Sequence, residues 1–168
     1  MRLIVANSKN PLVIDADGIN ALSHDIDIIK TAKCDIVITP HPMEMSRLTG
    51  LSVEQIENNR QKTALDFALK HGVTVILKGH ETVVATKSGE VYINTTGNSG
   101  MAKGGSGDVL SGMLGAFLAQ GISVKDASIL GVYLHGLAGD NAAKKLSKAG
   151  MLPRDIIDEI PLLFNLLN

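Results

Sequence analysis

Apolar and polar positions along the chain fall into short blocks with two distinct periods. Residues 12–15, 35–39 and 73–78 are brief β-rich apolar runs, each ending in a polar cluster, the pattern of buried strands. Longer mixed stretches lie between and after them. Helix is predicted for part of 19–32, for 44–49, 52–71, 108–120 and 124–146, and for a short last segment over 155–167. Ser52, with Gln55 three residues on, marks a helix start, and Gly72 a stop. Residues 82–86 and 90–94 flank Lys87-Ser88-Gly89 and predict a β-hairpin. Strands alternating with helices, with no repeat and no linker, predict one α/β domain over 1–168 with a largely parallel sheet.

Such sheets bind ligands beyond the carboxyl ends of their strands. Each unusual polar cluster falls at one of those ends: Asp15-Ala16-Asp17 after the first run, Thr39-Pro40-His41-Pro42 after the second, Lys78-Gly79-His80 after the third. That convergence places a site before any motif is considered.

Composition narrows what the site can bind. The chain has 168 residues, 45% hydrophobic and 20% charged, with a net charge of -1, so no global field draws in nucleic acid or an anionic membrane. An anionic ligand must be held by local groups. Trp is absent and Phe and Tyr are few, which argues against a stacking platform for single strands. The single cysteine, Cys34, rules out an internal disulfide framework and suits a reducing compartment. The first residues lack the length of a signal peptide and no apolar stretch approaches a membrane span, so a cytoplasmic location is expected.

Seventeen glycines are present, and eight of them fall between Gly97 and Gly121. The segment Ala102-Lys103-Gly104-Gly105-Ser106-Gly107-Asp108-Val109-Leu110 leads from a strand into an apolar helix. Gly104, Gly105 and Gly107 allow successive amides to turn inward as an anion hole with Ser106, and the helix start adds partial positive charge. The spacing is neither a Walker A loop nor a dinucleotide fingerprint. Asp108 could simply cap this helix; beside an anion site it could instead remove a hydroxyl proton as phosphoryl transfer begins.

Similar alternatives hold elsewhere. Lys78, Gly79, His80, Glu81 and Thr82 form either a solvated turn or a contact for a nucleotide's phosphate or ribose. The Pro40-His41-Pro42 loop is either a rigid connection, with Glu44 biasing a helix start, or a site wall in which His41 touches substrate and Glu44 supports Mg²⁺. Asp15 and Asp17 could cap or could orient substrate or metal. His135 lies on an apolar helix and reads as a core or interface histidine, and His24, His71 and His80 lack metal-ligand spacing. Residues 110–118 could pack in the core or between subunits, and a homo-oligomer is expected.

Four ordered segments together resemble the ADP/ATP-dependent NAD(P)H-hydrate dehydratases: Val13-Ile14-Asp15-Ala16-Asp17-Gly18-Ile19-Asn20, Thr39-Pro40-His41-Pro42-Met43-Glu44, Lys78-Gly79-His80-Glu81-Thr82 and Gly104-Gly105-Ser106-Gly107-Asp108-Val109-Leu110-Ser111-Gly112. The tail Gly150-Met151-Leu152-Pro153-Arg154-Asp155 is similar too. The resemblance implies a ribokinase-like three-layer sandwich. It implies repair of the hydrated cofactors (6S)-NADHX and NADPHX, with ADP or ATP consumed alongside Mg²⁺. His41 and Asp108 would contact the hydrated cofactor, and Lys78, Gly79, His80, Glu81, Thr82 and Gly107 the nucleotide. Amides of Gly104, Gly105, Ser106 and Gly107 would form the anion hole, Asp108 would be the base, and Glu44 would lie near the metal. Met43 stands where the family usually has Gly. The family's domain extends upstream of residue 12 by on the order of a hundred residues, so the chain is expected to lack the N-terminal part. Two other readings share the loop: a vitamin-precursor kinase of the same fold, acting on hydroxymethylpyrimidine or hydroxyethylthiazole, and an inactive nucleotide-binding fragment.

Overall fold

The computed structural model describes residues 1–165. A short helix α1 (Arg2–Asn7) leads into strand β1 (Leu12–Ile14) and helix α2 (Asp17–His24), followed by a 3-10 segment (Ile26–Thr31) and β2 (Ile36–Ile38). Helices α3 (Pro42–Thr49), α4 (Val53–Asn58) and α5 (Arg60–His71) return the chain to β3 (Thr74–Leu77). The hairpin β4 (Val83–Ala85) and β5 (Val91–Ile93) follows, then α6 (Ser106–Ala119), α7 (Val124–Gly150) and α8 (Pro153–Phe164). The last helix was expected to run to residue 167, and its positions beyond 165 lie outside the described residues.

The five strands form one sheet in the order β1-β2-β3-β4-β5. β1, β2 and β3 run parallel, Val13 opposite Val37 and Ile38 opposite Val75, while β4 and β5 add as antiparallel neighbours. The sheet is therefore mixed: the parallel arrangement expected holds for its first three strands and ends at the hairpin. Two-residue alternation sorts the strand side chains onto two faces. Ile14, Ile36, Ile38, Val75, Leu77, Val83 and Ala85 join a core with Ile19, Leu22, Met45, Ile56 and Phe67 from the helices before β3. Val37, Ile76 and Val84 face the opposite core, made by Leu110, Leu114, Phe117, Val132, Ala138 and Ile156 of α6, α7 and α8. Helices on both faces give the three layers expected. α6 settles within that core: Leu110, Met113, Leu114, Phe117 and Leu118 are buried, and Leu114 packs where Gly131 of α7 leaves room.

The stretch 52–71 was expected as one helix and is two. Ser52 caps α4 in a capping box with Gln55, but Asn59 takes φ -141°, ψ 41° and restarts the chain as α5. Gly72 ends α5 in the left-handed conformation. Among the described residues no helix is long and apolar enough to cross a membrane.

Candidate active site

The carboxyl ends of β1, β2 and β3 converge on one partly buried network beneath the start of α6. Asp15, the residue after β1, accepts a hydrogen bond from Lys78 Nζ at 2.7 Å and another from Ser111 Oγ at 2.8 Å. Thr39, after β2, is fully buried beside Ile14, its hydroxyl also lowering the Asp15 pKa. Lys78 follows β3, its own amide donating to Pro40 O at 2.8 Å. Its ammonium stands 3.9 Å from Glu44 Oε2 as well. A side chain at Gly107 would begin 3.4 Å from Lys78 Nζ and 3.6 Å from Asp15 Oδ2, so the network touches the underside of the glycine-rich loop. Burial alone would raise the Asp15 pKa. The Lys78 hydrogen bond and charge, with the Ser111 and Thr39 hydroxyls, outweigh that and hold its carboxyl below the usual value.

The loop itself is ordered as an anion site would require. α6 begins at Ser106, two residues before the start expected, with Gly105 as its N-cap in the left-handed region at φ 98°. Asp108 therefore sits at the third helical position, in the first turn, and does not cap the helix. It is exposed and has no hydrogen bond or ion pair with any described residue. Ser106 N donates to Lys103 O at 3.2 Å, so one of the four amides expected in the anion hole is already engaged. The amides of Gly104, Gly105, Gly107 and Asp108 have no acceptor among the described residues. Together with the helix macrodipole they form a cluster of unsatisfied donors beside an unpartnered carboxylate. The tail motif explains itself here: Pro153 Cγ lies 3.2 Å from where a Gly105 side chain would begin, and Lys103 Nζ donates to Ala149 O and Met151 O, closing the loop from behind.

Gly105→Ala is thus expected to strain the backbone by about 1–2 kcal/mol and press on Pro153. Phosphate affinity, measured by titration calorimetry, should fall at least threefold; unchanged affinity with an unchanged melting temperature would count against an anion site.

His41 and Glu44 form a capping box at the start of α3. His41 Nδ1 accepts from the amides of Met43 (3.1 Å) and Glu44 (3.2 Å), and Glu44 Oε2 accepts from His41 N at 2.8 Å. Glu44 is buried, its Oε2 engaged by the His41 amide and its Oε1 lying 3.5 Å from His41 Nε2. This arrangement leaves the His41 imidazole about half exposed, with Met43 exposed next to it. It does not make a metal cage: Asp15 is occupied too, and no group of three His, Cys, Asp or Glu among the described residues could hold an ion. Magnesium that keeps its waters and is carried by nucleotide phosphates suits such a site better than one bound by protein alone.

Gly79, His80 and Glu81 lie exposed along the turn after β3, and Thr82 Oγ1 donates to Gly79 O across it at 3.1 Å. Lys78, expected among the nucleotide contacts, points its ammonium at Asp15 and belongs equally to the buried network. Asp17 opens α2 in its first turn. His135, expected in the core or at an interface, is partly buried on α7; desolvation pushes its pKa down to about 4 against a hydrogen bond with the Ser106 main chain, and its Nε2 has no partner among the described residues. Ser111 was missed in the sequence. It falls one helical turn after Gly107, a periodicity that puts both on the same face of α6.

Parallel strands ending at a network of opposite charges, and a helix start with open amides and a carboxylate in its first turn, define a domain of the ribokinase-like α/β class with one candidate site at its carboxyl edge. Comparison with known proteins gives the family. The NAD(P)H-hydrate dehydratase family profile matches residues 3–162, and the chain belongs to that family. It is 43% identical over 151 residues to a bifunctional NAD(P)H-hydrate repair enzyme of Moorella thermoacetica, covering 90% of this chain and 28% of that protein. It is 40% identical over 157 residues to an ADP-dependent (S)-NAD(P)H-hydrate dehydratase of Neisseria meningitidis, covering 92% of this chain and 53% of that one. Its fold superposes with a TM-score of 0.88, at 29% identity, on the ADP/ATP-dependent NAD(P)H-hydrate dehydratase of Bacillus subtilis co-crystallized with ATP and Mg²⁺, over 98% of this chain and 57% of that one. A hydroxyethylthiazole kinase of Pyrococcus horikoshii shares the fold alone, with a TM-score of 0.72 at 21% identity, over 89% of this chain and 59% of that one. The chain thus spans about half, or less, of the length of these relatives.

Proposed function

We propose that the chain carries the nucleotide-using and catalytic part of a dehydratase that returns (6S)-NADHX or NADPHX to NADH or NADPH. The observation supporting this reading is the juxtaposition at α6: four open amides beside an exposed carboxylate that no other described residue engages. In this reading Asp108 accepts the proton of the substrate's 6-hydroxyl as that oxygen attacks the terminal phosphoryl group of ADP or ATP, the bridging P–O bond breaking to release AMP or ADP. The amides of Gly104, Gly105, Gly107 and Asp108 hold the charge on the transferring group. The ring nitrogen's lone pair then expels phosphate from C6, and loss of a C5 proton restores the dihydropyridine. His41 contacts the hydrated cofactor, and the turn from Lys78 to Thr82 contacts the nucleotide. Mg²⁺ would enter on the nucleotide's phosphates and offset their charge. Glu44 and Asp15, already hydrogen-bonded, are left to meet it through water.

The test is direct. The protein is incubated with (6S)-NADPHX, Mg²⁺ and either ADP or ATP while absorbance at 340 nm is followed. Recovery with one nucleotide supports the dehydratase; phosphorylated hydroxyethylthiazole or hydroxymethylpyrimidine in a parallel assay would favour a kinase instead. A second reading takes up the 57% coverage of the Bacillus enzyme: nucleotide binding by these 168 residues without turnover. Saturable ADP binding without any 340 nm recovery would select it.

A further inference from the structure

Arg60 is placed against the electrostatics of its own helix. It is the first residue of α5, where the macrodipole disfavours a cation, and no acidic residue occupies that helix's first turn. Its side chain is nevertheless only 12% exposed. The compensation comes from the strand that α5 feeds. Nη2 donates to the main-chain carbonyls of Leu77 at 2.9 Å and Lys78 at 3.2 Å, and Nη1 donates to Glu57 Oε2 at 3.0 Å. Nε is buried without a partner among the described residues. Because α5 runs away from the carboxyl end of the sheet, its first residue is the one that can reach the end of β3. The break at Asn59 is what makes Arg60 that residue.

The guanidinium also sets what can follow Lys78. A side chain on Gly79 would begin 2.8 Å from both Nη1 and Nη2 and 3.1 Å from Cζ, so the forked edge of the Arg60 guanidinium occupies the place where that side chain would stand. Gly79 takes φ 148° and Glu81 φ 55°, two left-handed positions in three residues. A turn of this kind needs support from below, and Arg60 supplies it through two carbonyls and one close packing surface. Lysine cannot replace it: an ammonium is a single point donor, with neither the fork nor the plane.

We propose that Arg60 is a positioning residue for the nucleotide, shaping the turn from Lys78 to Thr82 without touching the ligand. This rests on the reading of that turn as a nucleotide contact. The amides at α6 form a separate subsite, so the two can be read with two probes: Mg²⁺-ADP, which needs both, and pyrophosphate, which needs the amides only. Arg60→Lys should weaken ADP binding about tenfold in titration calorimetry and leave pyrophosphate affinity within twofold. Gly79→Ala, which presses on Nη1 and Nη2 and also strains the turn's own backbone at φ 148°, should weaken ADP binding at least as much, and the double variant should lose little more than Gly79→Ala alone. Equal losses for ADP and pyrophosphate, or full ADP affinity in Arg60→Lys, would overturn the assignment. Should Arg60→Lys fail to fold, Glu57→Gln, which loosens the hold on Nη1 without altering the turn, decides by the same split. A wild type that binds pyrophosphate but not ADP would remove the nucleotide reading, and Arg60's role with it; a wild type that binds both, with variants unchanged, would remove Arg60's role alone.

Discussion

Asp108→Asn is expected to lower turnover by about 10²–10⁴-fold, the span that general-base catalysis typically contributes, while ADP affinity stays within about tenfold, or roughly 1.4 kcal/mol. The expectation comes from how little the fold uses this side chain. Asp108 is exposed, unpartnered and two positions inside the helix from the residues that begin it, with Gly105 at the cap. Its contribution to stability is the favourable placement of an anion in a first helical turn, about 0.3–1 kcal/mol. Asparagine keeps the size and the main-chain amide and removes the charge together with the capacity to take a proton. The melting temperature should therefore move by no more than a few degrees. The same preparation would be assayed at 340 nm with hydrated NADPH and titrated with Mg²⁺-ADP. A variant that unfolds would make Asp108 a structural residue; one as active as the wild type would remove it from the chemistry.

Much of this could be read without coordinates because local signals and tertiary demands agreed. The three β-rich runs became the three parallel strands, each apolar block being too short and too β-branched for a helix. The polar residues just after them met in space because parallel strands deliver all their carboxyl ends to one edge. The hairpin was marked by Lys87-Ser88-Gly89, Gly89 taking φ 95°. What stayed hidden was set by single side chains acting across the fold. The break at Asn59 has no glycine or proline to announce it, and the helical pattern runs through it. Asp15 was one of several plausible carboxylates until Lys78 and Ser111, 63 and 96 residues away, were seen to bind it. Glu44 was equally suited by sequence to a metal or to a helix cap, because the same carboxylate chemistry serves both, and only the distance to His41 N separates them.

Lys78→Met is expected to destabilise the chain by about 3 kcal/mol, the lower end of what removing one member of a buried ion pair costs, since solvent still reaches part of the site. Methionine fills the space of the stem, so the loss reports the charge. In the wild type the Asp15 carboxyl titrates below its usual value, burial being outweighed by Lys78 and the two hydroxyls. A group depressed in this way contributes stability that is present above its unfolded pKa, near 3.9, and is lost as pH falls through the lower folded value. Without Lys78 the largest opposing influence, desolvation, is left with only Ser111 and Thr39 against it, and Glu44 adds a second carboxylate nearby. The folded pKa of Asp15 then rises above the unfolded one, and the sign reverses. Its ionised form penalises folding at neutral pH, and the penalty is relieved as acid protonates it. Urea unfolding of both proteins between about pH 7 and 4 should show the gap in stability narrowing on acidification. A gap that stays constant over that range would mean that Lys78 acts by packing alone, and the charge network beneath the glycine-rich loop would lose its role in holding the three strand ends to α6.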